Sequence, residues 1–296
     1  MNCSFCSVTA FNGGLFRHRP IENVIAELRQ IHEKTILFVD DNLVGTRRDH
    51  IAYAKDLFRA MIRERLTRPW ICQATINFGD DGEMLDLAAR SGCMGVFVGF
   101  ESPTAEGLIA VGKKFNMFKG RNLRASVCRI QCHGITVMGS FILGIDTDQP
   151  GIGATTARAA DDYGLDMVSI LFLTPLPGTV LFKKMEEQGR IVAKSYPADW
   201  QYYTLAHPVS QYLHFTWSEL VREMNQLHDL FYSYPKILVR VLRMALHTRN
   251  PRKVLVGLVT NLTCRHNQLL DRKVYALRCA PPETACPTQE FRPQED

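Results

Sequence analysis

Between Pro20 and Gln188 the apolar positions follow two alternating periods. In "IENVIAELRQIHEK", Ile21, Val24, Ile25, Leu28 and Ile31 recur at helical spacing, and Pro20 suits the start of that helix. "TILFVDDN" then runs continuously apolar before ending in acids, which predicts a strand covered on both faces. The alternation repeats. A helix through "RDHIAYAKDLFRAMIRERL" precedes a strand "WICQATIN", and a helix "DGEMLDLAARSG", stopped by Gly92, precedes a strand "GVFVGFES". Two helices follow in "AEGLIAVGKK" and "NLRASVCRIQCHG", then strand "TVMGSFILGI", helix "GATTARAADDYG", strand "MVSILFLTPL" and helix "TVLFKKMEEQGR".

Strands that alternate with helices predict a parallel sheet with right-handed crossovers. Polar, acidic or glycine residues cluster where the strands end: Asp40-Asp41-Asn42, Asn77, Gly99 to Ser102, Gly144, and Pro175 to Gly178. In parallel α/β folds that edge binds ligands.

After Gly189 the character changes. An aromatic, irregular stretch gives way to helices predicted over Trp217–Tyr232, Pro235–His247 and Pro251–Leu262. Basic residues dominate from Tyr234 to Lys273, with Asp271 the one acid. A basic, apolar helical stretch of this kind can rest on an anionic membrane surface, or pack on the sheet with its basic side in water. The end of the chain, 279–296, is rich in Pro and acids and reads as disordered. The expected division is therefore 1–190, an α/β core; 191–278, a helical C-terminal extension; and 279–296, a tail.

Composition narrows the class. Hydrophobic content of 46% and charged content of 22% suit a globular protein, and no apolar run approaches the length of a membrane span. A net charge of +5 does not by itself point to nucleic acid. The N-terminus lacks a secretory pattern. Nine scattered cysteines, an odd number, fit a reducing cytoplasm better than a disulfide framework. Cys72, Cys93, Cys128 and Cys132 read as small buried hydrophobes.

Cys3 and Cys6 stand apart, because they flank Phe5 in a Cys-x-aromatic-Cys pattern at the very start. Half a zinc site is one reading, though no second Cys/His pair recurs at short spacing. A dithiol redox pair is another, though no strand precedes it. The end of an iron–sulfur motif is the third.

On that third reading, "CSFCSVTAFNGGLFRHRPIENVIAELRQI", "ILFVDDN", "GVFVGFES", "GSFILGI" and "LTPLPGTVLFKKMEEQGRI", in this order, resemble the radical SAM superfamily. They are most similar to its cobalamin-binding-domain-associated branch, over about residues 1–190. The resemblance implies a partial (β/α)6-type, TIM-like barrel that lacks its first strand. It also implies a [4Fe–4S] cluster that reductively cleaves S-adenosylmethionine to a 5′-deoxyadenosyl radical, an electron donor such as flavodoxin or ferredoxin, and a small-molecule or lipid-like substrate. Cys3 and Cys6 would be two of three cluster ligands, and Phe5 would lie near the adenine. Asp40 or Asp41 would take the methionine amino group, Glu101 and Ser102 would reach ribose or carboxylate, and Gly144 would make room for the adenine. In the family the first cluster cysteine lies four residues before the second, a position upstream of Met1. The expectation is thus a piece of a longer parent, in which cobalamin would be bound, and weak cluster binding by two thiolates. A non-catalytic α/β scaffold with free cysteines is the alternative.

Overall fold

A computed structural model describes residues 3–13, 15–248 and 251–278. The tail with Cys279 and Cys286 lies outside the described residues. Five parallel strands form one sheet: β1 (Ile36–Leu37), β2 (Trp70–Gln73), β3 (Cys93–Glu101), β4 (Thr136–Leu143) and β5 (Met167–Phe172). Each strand pairs with its sequence neighbour, in the order β1-β2-β3-β4-β5. Helices connect consecutive strands: α3 (Arg48–Arg63), α4 (Gly82–Ser91), α5 (Ala105–Ala110) with α6 (Leu123–Cys132), and α7 (Ile152–Tyr163). Before β1 stand α1 (Ser7–Asn12) and α2 (Ile21–Gln30); after β5 come α8 (Val180–Glu187), α9 (Trp217–Phe231), α10 (Tyr234–Thr248) and α11 (Pro251–Arg278). Wound always in one direction, the strands make the partial barrel expected above.

Local chemistry explains the elements. Asp81 caps α4 by accepting from Met84 N at 3.0 Å, and Gly92 closes that helix at φ 108°. Thr216 and Glu219 form a reciprocal capping box at the start of α9. Between sheet and helices, Trp70 is fully buried against Phe38 and Phe58, and its indole donates to Ser91 O at 3.0 Å. Gly139 lets β4 pass close to Leu165 and Phe100, since a methyl there would meet Leu165 at 2.4 Å.

Several boundaries differ from expectation. The first strand forms a ladder of only two residues. "AEGLIAVGKK" is helical only to Ala110, because Gly112 takes φ 75° and a 3-10 turn follows over Lys114–Gly120. The last helix runs on from Leu262 to Arg278. Cys72 and Cys93 are buried as expected, but Cys128 and Cys132 are exposed. Spaced four apart on α6 they share an outward face, while Val127 and Ile130 take the buried one.

The helices after β5 are tied to the core by buried polar groups. The Arg240 guanidinium of α10 donates to Asp161 of α7, to Asn261 of α11 and to Phe231 O. Asn261 donates to Asp166 O at the start of β5, and Lys253 donates to Gly134 O just before β4. α10 and α11 therefore dock at the beginnings of β4 and β5, the edge opposite the strand ends.

Candidate functional site

Cys3 to Cys6 form one turn, closed by Cys6 N donating to Cys3 O at 3.2 Å, and α1 begins directly after it. Two backbone bonds fix the turn at the C-terminal edge of the sheet. Ser4 N donates to Val111 O, in the connection that follows β3, at 3.3 Å. Leu181 N, in the first turn of α8 after β5, donates to Ser4 O at 2.9 Å. Phe5 is half-buried and packs on the core. Gly13 ends α1 at φ 64°; Gly14 beside it lies outside the described residues.

Glu101 ends β3 beside this turn. Its φ of 66° is unusual for a residue with a side chain, and the ladder to β4 slips between Gly99 and Glu101. The carboxylate accepts from Lys113 Nζ at 2.9 Å, and both groups are buried. Asn116 secures the bend: its Nδ2 donates to Gly99 O at 3.1 Å and Phe100 O at 3.2 Å. Burial pushes the Cys3 thiol up, with Lys113 pulling the other way and Glu101 and Cys6 adding to the rise. Burial alone would lower Lys113, but Glu101 and then Cys3 outweigh it and hold the ammonium above the usual lysine range. The sequence-predicted Cys3, Cys6 and Glu101 are thus brought together, and Lys113 and Asn116 join them. The latter two sit in a glycine-broken turn that reads as a helix end, so only the run "GKKFN" hints at them.

Ser102 follows Glu101 but turns to local work: its Oγ accepts from Thr104 N at 3.2 Å at the head of α5. Asp40 and Asp41 are exposed at the end of edge strand β1. Two strand spacings, about 10 Å, separate that strand from β3. They share the edge with Glu101 but not its cluster. Between them lies a polar hub: Asn42 accepts from Gly45 N at 3.1 Å, Asn77 donates to Gly45 O at 3.0 Å, and Thr75 joins both side chains. Gly144 departs from expectation. It takes φ 90°, and the space a Cβ would fill is held by the Tyr212 ring at 2.7 Å, so its lack of a side chain admits Tyr212 and not a ligand. Next to it, buried Asp148 accepts from Gly144 N and Ile145 N, while its other oxygen has no partner among the described residues.

Cys3 and Cys6 can supply two thiolates from one turn, a fit to part of an iron–sulfur ligand set. Among the described residues no group of three His, Cys, Asp or Glu is placed to hold a metal, so those residues do not complete such a set.

No protein-family model matches the chain. It is 30% identical over 194 residues to the hopanoid C-2 methylase of Rhodopseudomonas palustris, covering 64% of this chain and 36% of that protein. It is 30% identical over 213 residues to the bacteriochlorophyllide d C-12(1)-methyltransferase of Chlorobaculum tepidum, covering 70% and 44%. The chain thus spans less than half the length of these relatives. Among solved structures it resembles the radical S-adenosylmethionine methyltransferase TsrM of Kitasatospora setae, with TM-score 0.54 at 21% identity over 66% of this chain and 36% of that one. It also resembles the cobalamin-dependent radical enzyme OxsB, with TM-score 0.54 at 13% identity over 95% and 46%. The partial barrel and the cysteine turn at its strand ends agree with these likenesses: the chain is similar to methylases and methyltransferases, and it shares the fold of cobalamin-associated radical SAM enzymes.

Proposed function

We propose that this chain carries the core of a radical SAM enzyme, with Cys3 and Cys6 as two thiolate ligands of a [4Fe–4S] cluster. When bound, that cluster supplies one-electron reductive cleavage of S-adenosylmethionine. The observation that carries the reading is the anchoring of the Cys3–Cys6 turn to both the β3 and the β5 connections, which seats two thiols beside Glu101 at the strand ends.

The chain's own residues would do the following. Phe5 shields the cluster side from water with its half-buried ring. Glu101 offers a carboxylate acceptor, held rigid by Lys113, to a hydroxyl or ammonium of the cofactor; Ser102 reinforces the turn that aims it. Asp40 and Asp41 offer a second, exposed pair of acceptors toward an amine. The relatives' printed activities, methylation of a hopanoid and of a bacteriochlorophyllide, and OxsB's dependence on cobalamin support a methyl-transfer reaction on an apolar, lipid-like small molecule, with cobalamin as a second cofactor and a flavodoxin- or ferredoxin-type electron donor. The proposed setting is the cytoplasm, where the seven described cysteines, all free, stay reduced. The absence of a third ligand among the described residues favours one competing reading, a non-catalytic scaffold.

Anaerobic reconstitution followed by assay for 5′-deoxyadenosine under a strong reductant separates the two. The enzyme reading expects iron and sulfide, at less than full cluster loading from two thiolates, with cofactor cleavage scaling with the iron held. A chain that binds no iron, or cleaves no cofactor however much it binds, is the scaffold.

A further inference from the structure

The last turns of α6 hold a thiol pair that the proposed chemistry does not use. Cys128 and Cys132 are both exposed, one helical turn apart, with their sulfurs 4.0 Å from each other. From the neighbouring helix α10, His247 Nδ1 stands 3.6 Å from Cys132 Sγ. The contact holds that sulfur at one end of the pair.

The helix decides what the two thiols can do together. Residues four apart on a helix keep their Cβ atoms about 5–6 Å from each other. A disulfide takes about 3.5–4.5 Å, so closing one would distort α6. An ion between the sulfurs asks for no such closure. Metal–thiolate bonds run about 2.3 Å, so two thiolates on one ion stand at most about 4.6 Å apart. The 4.0 Å between Cys128 and Cys132 lies inside that span. Their spacing suits a shared ion and not a bond to each other.

Ligand number and softness select the ion. Zinc takes at least three protein ligands, and among the described residues no group of three His, Cys, Asp or Glu is placed for it. Calcium and magnesium take oxygen. Soft thiolates select Cu(I), which two of them suffice to hold. Binding would release one proton from each thiol to the water around this exposed pair.

We propose that Cys128 and Cys132 form a two-thiolate site for monovalent copper, with His247 positioning the Cys132 sulfur. The site lies just before β4, at the edge opposite the Cys3–Cys6 turn. The eight residues of β4 span about 26 Å, so a single ion cannot bridge the two thiol pairs. The inference is independent of the proposed chemistry.

Anaerobic titration of the reduced full chain with Cu(I), in competition with a chromogenic Cu(I) chelator, tests it. Cys3 and Cys6 are a second thiol pair, so the wild type is compared with Cys128→Ser/Cys132→Ser. The expected result is the loss of one equivalent of copper in the double variant, with an unchanged circular dichroism melt because both side chains are exposed. His247→Ala should keep that equivalent and weaken its affinity about tenfold. Alkylation of the wild type, followed by peptide mass mapping, gives a readout that no folding defect of a variant can disturb. Saturating copper should protect Cys128 and Cys132, and the chelator should restore their reactivity. Equal copper in the wild type and the double variant overturns the proposal, as does alkylation of the pair that copper leaves unchanged. Loss of the equivalent in His247→Ala would make the imidazole a ligand and overturn the two-thiolate assignment.

Discussion

Lys113 Nζ lies 2.9 Å from Glu101 Oε1, both groups buried, at the point where β3 bends beside Cys3. Removing one partner strands a charge in the interior. Lys113→Met or Glu101→Gln alone should cost about 3–5 kcal/mol, whereas the double substitution should cost much less than their sum. Urea unfolding of the three variants measures the coupling. Additive losses would show that the two groups do not act as a pair.

Asp148 predicts a pH dependence. Burial pushes its carboxyl up to about 6, against the pull of the Ile145 and Gly144 amides. The folded state thus holds this proton more tightly than the unfolded chain, whose carboxyl titrates at about 3.9. The group's stabilising share is complete below that value and is lost as pH rises through about 6. The loss is on the order of 3 kcal/mol. Asp148→Asn, which keeps an oxygen for both amides, should flatten the fall in urea midpoint across that window. An unchanged slope would place the titration elsewhere.

Gly144 is held at φ 90° under the Tyr212 ring. Gly144→Ala therefore strains the backbone and overpacks the core, with an expected cost of about 1–3 kcal/mol in the absence of any ligand. A variant as stable as the wild type, with weakened S-adenosylmethionine binding, would restore the adenine role that the geometry removes.

The sheet was legible because parallel strands covered on both faces are written as uninterrupted apolar runs, as in "GVFVGFES" and "TVMGSFILGI". Their C-terminal ends named the site edge and Glu101 on it, while Cys3 and Cys6 stood out by their spacing around Phe5. What lay hidden is set by tertiary approach. Lys113 reaches Glu101, and Asn116 the carbonyls of Gly99 and Phe100, only because Gly112 breaks the preceding helix. Gly144 looked open until Tyr212, 68 positions along the chain, was folded over it. Cys128 and Cys132 stand in a helical stretch of the sequence whose period turns them outward, with their sulfurs 4.0 Å apart.

The central claim is that the two thiols at the start of the chain are iron ligands. Iron and acid-labile sulfide, measured after anaerobic reconstitution of the wild type, Cys3→Ala, Cys6→Ala and a Cys128→Ala/Cys132→Ala control, test it most directly. The account predicts iron and sulfide in the wild type and the control and their loss in each of the other two variants. Equal iron in all four proteins would contradict it.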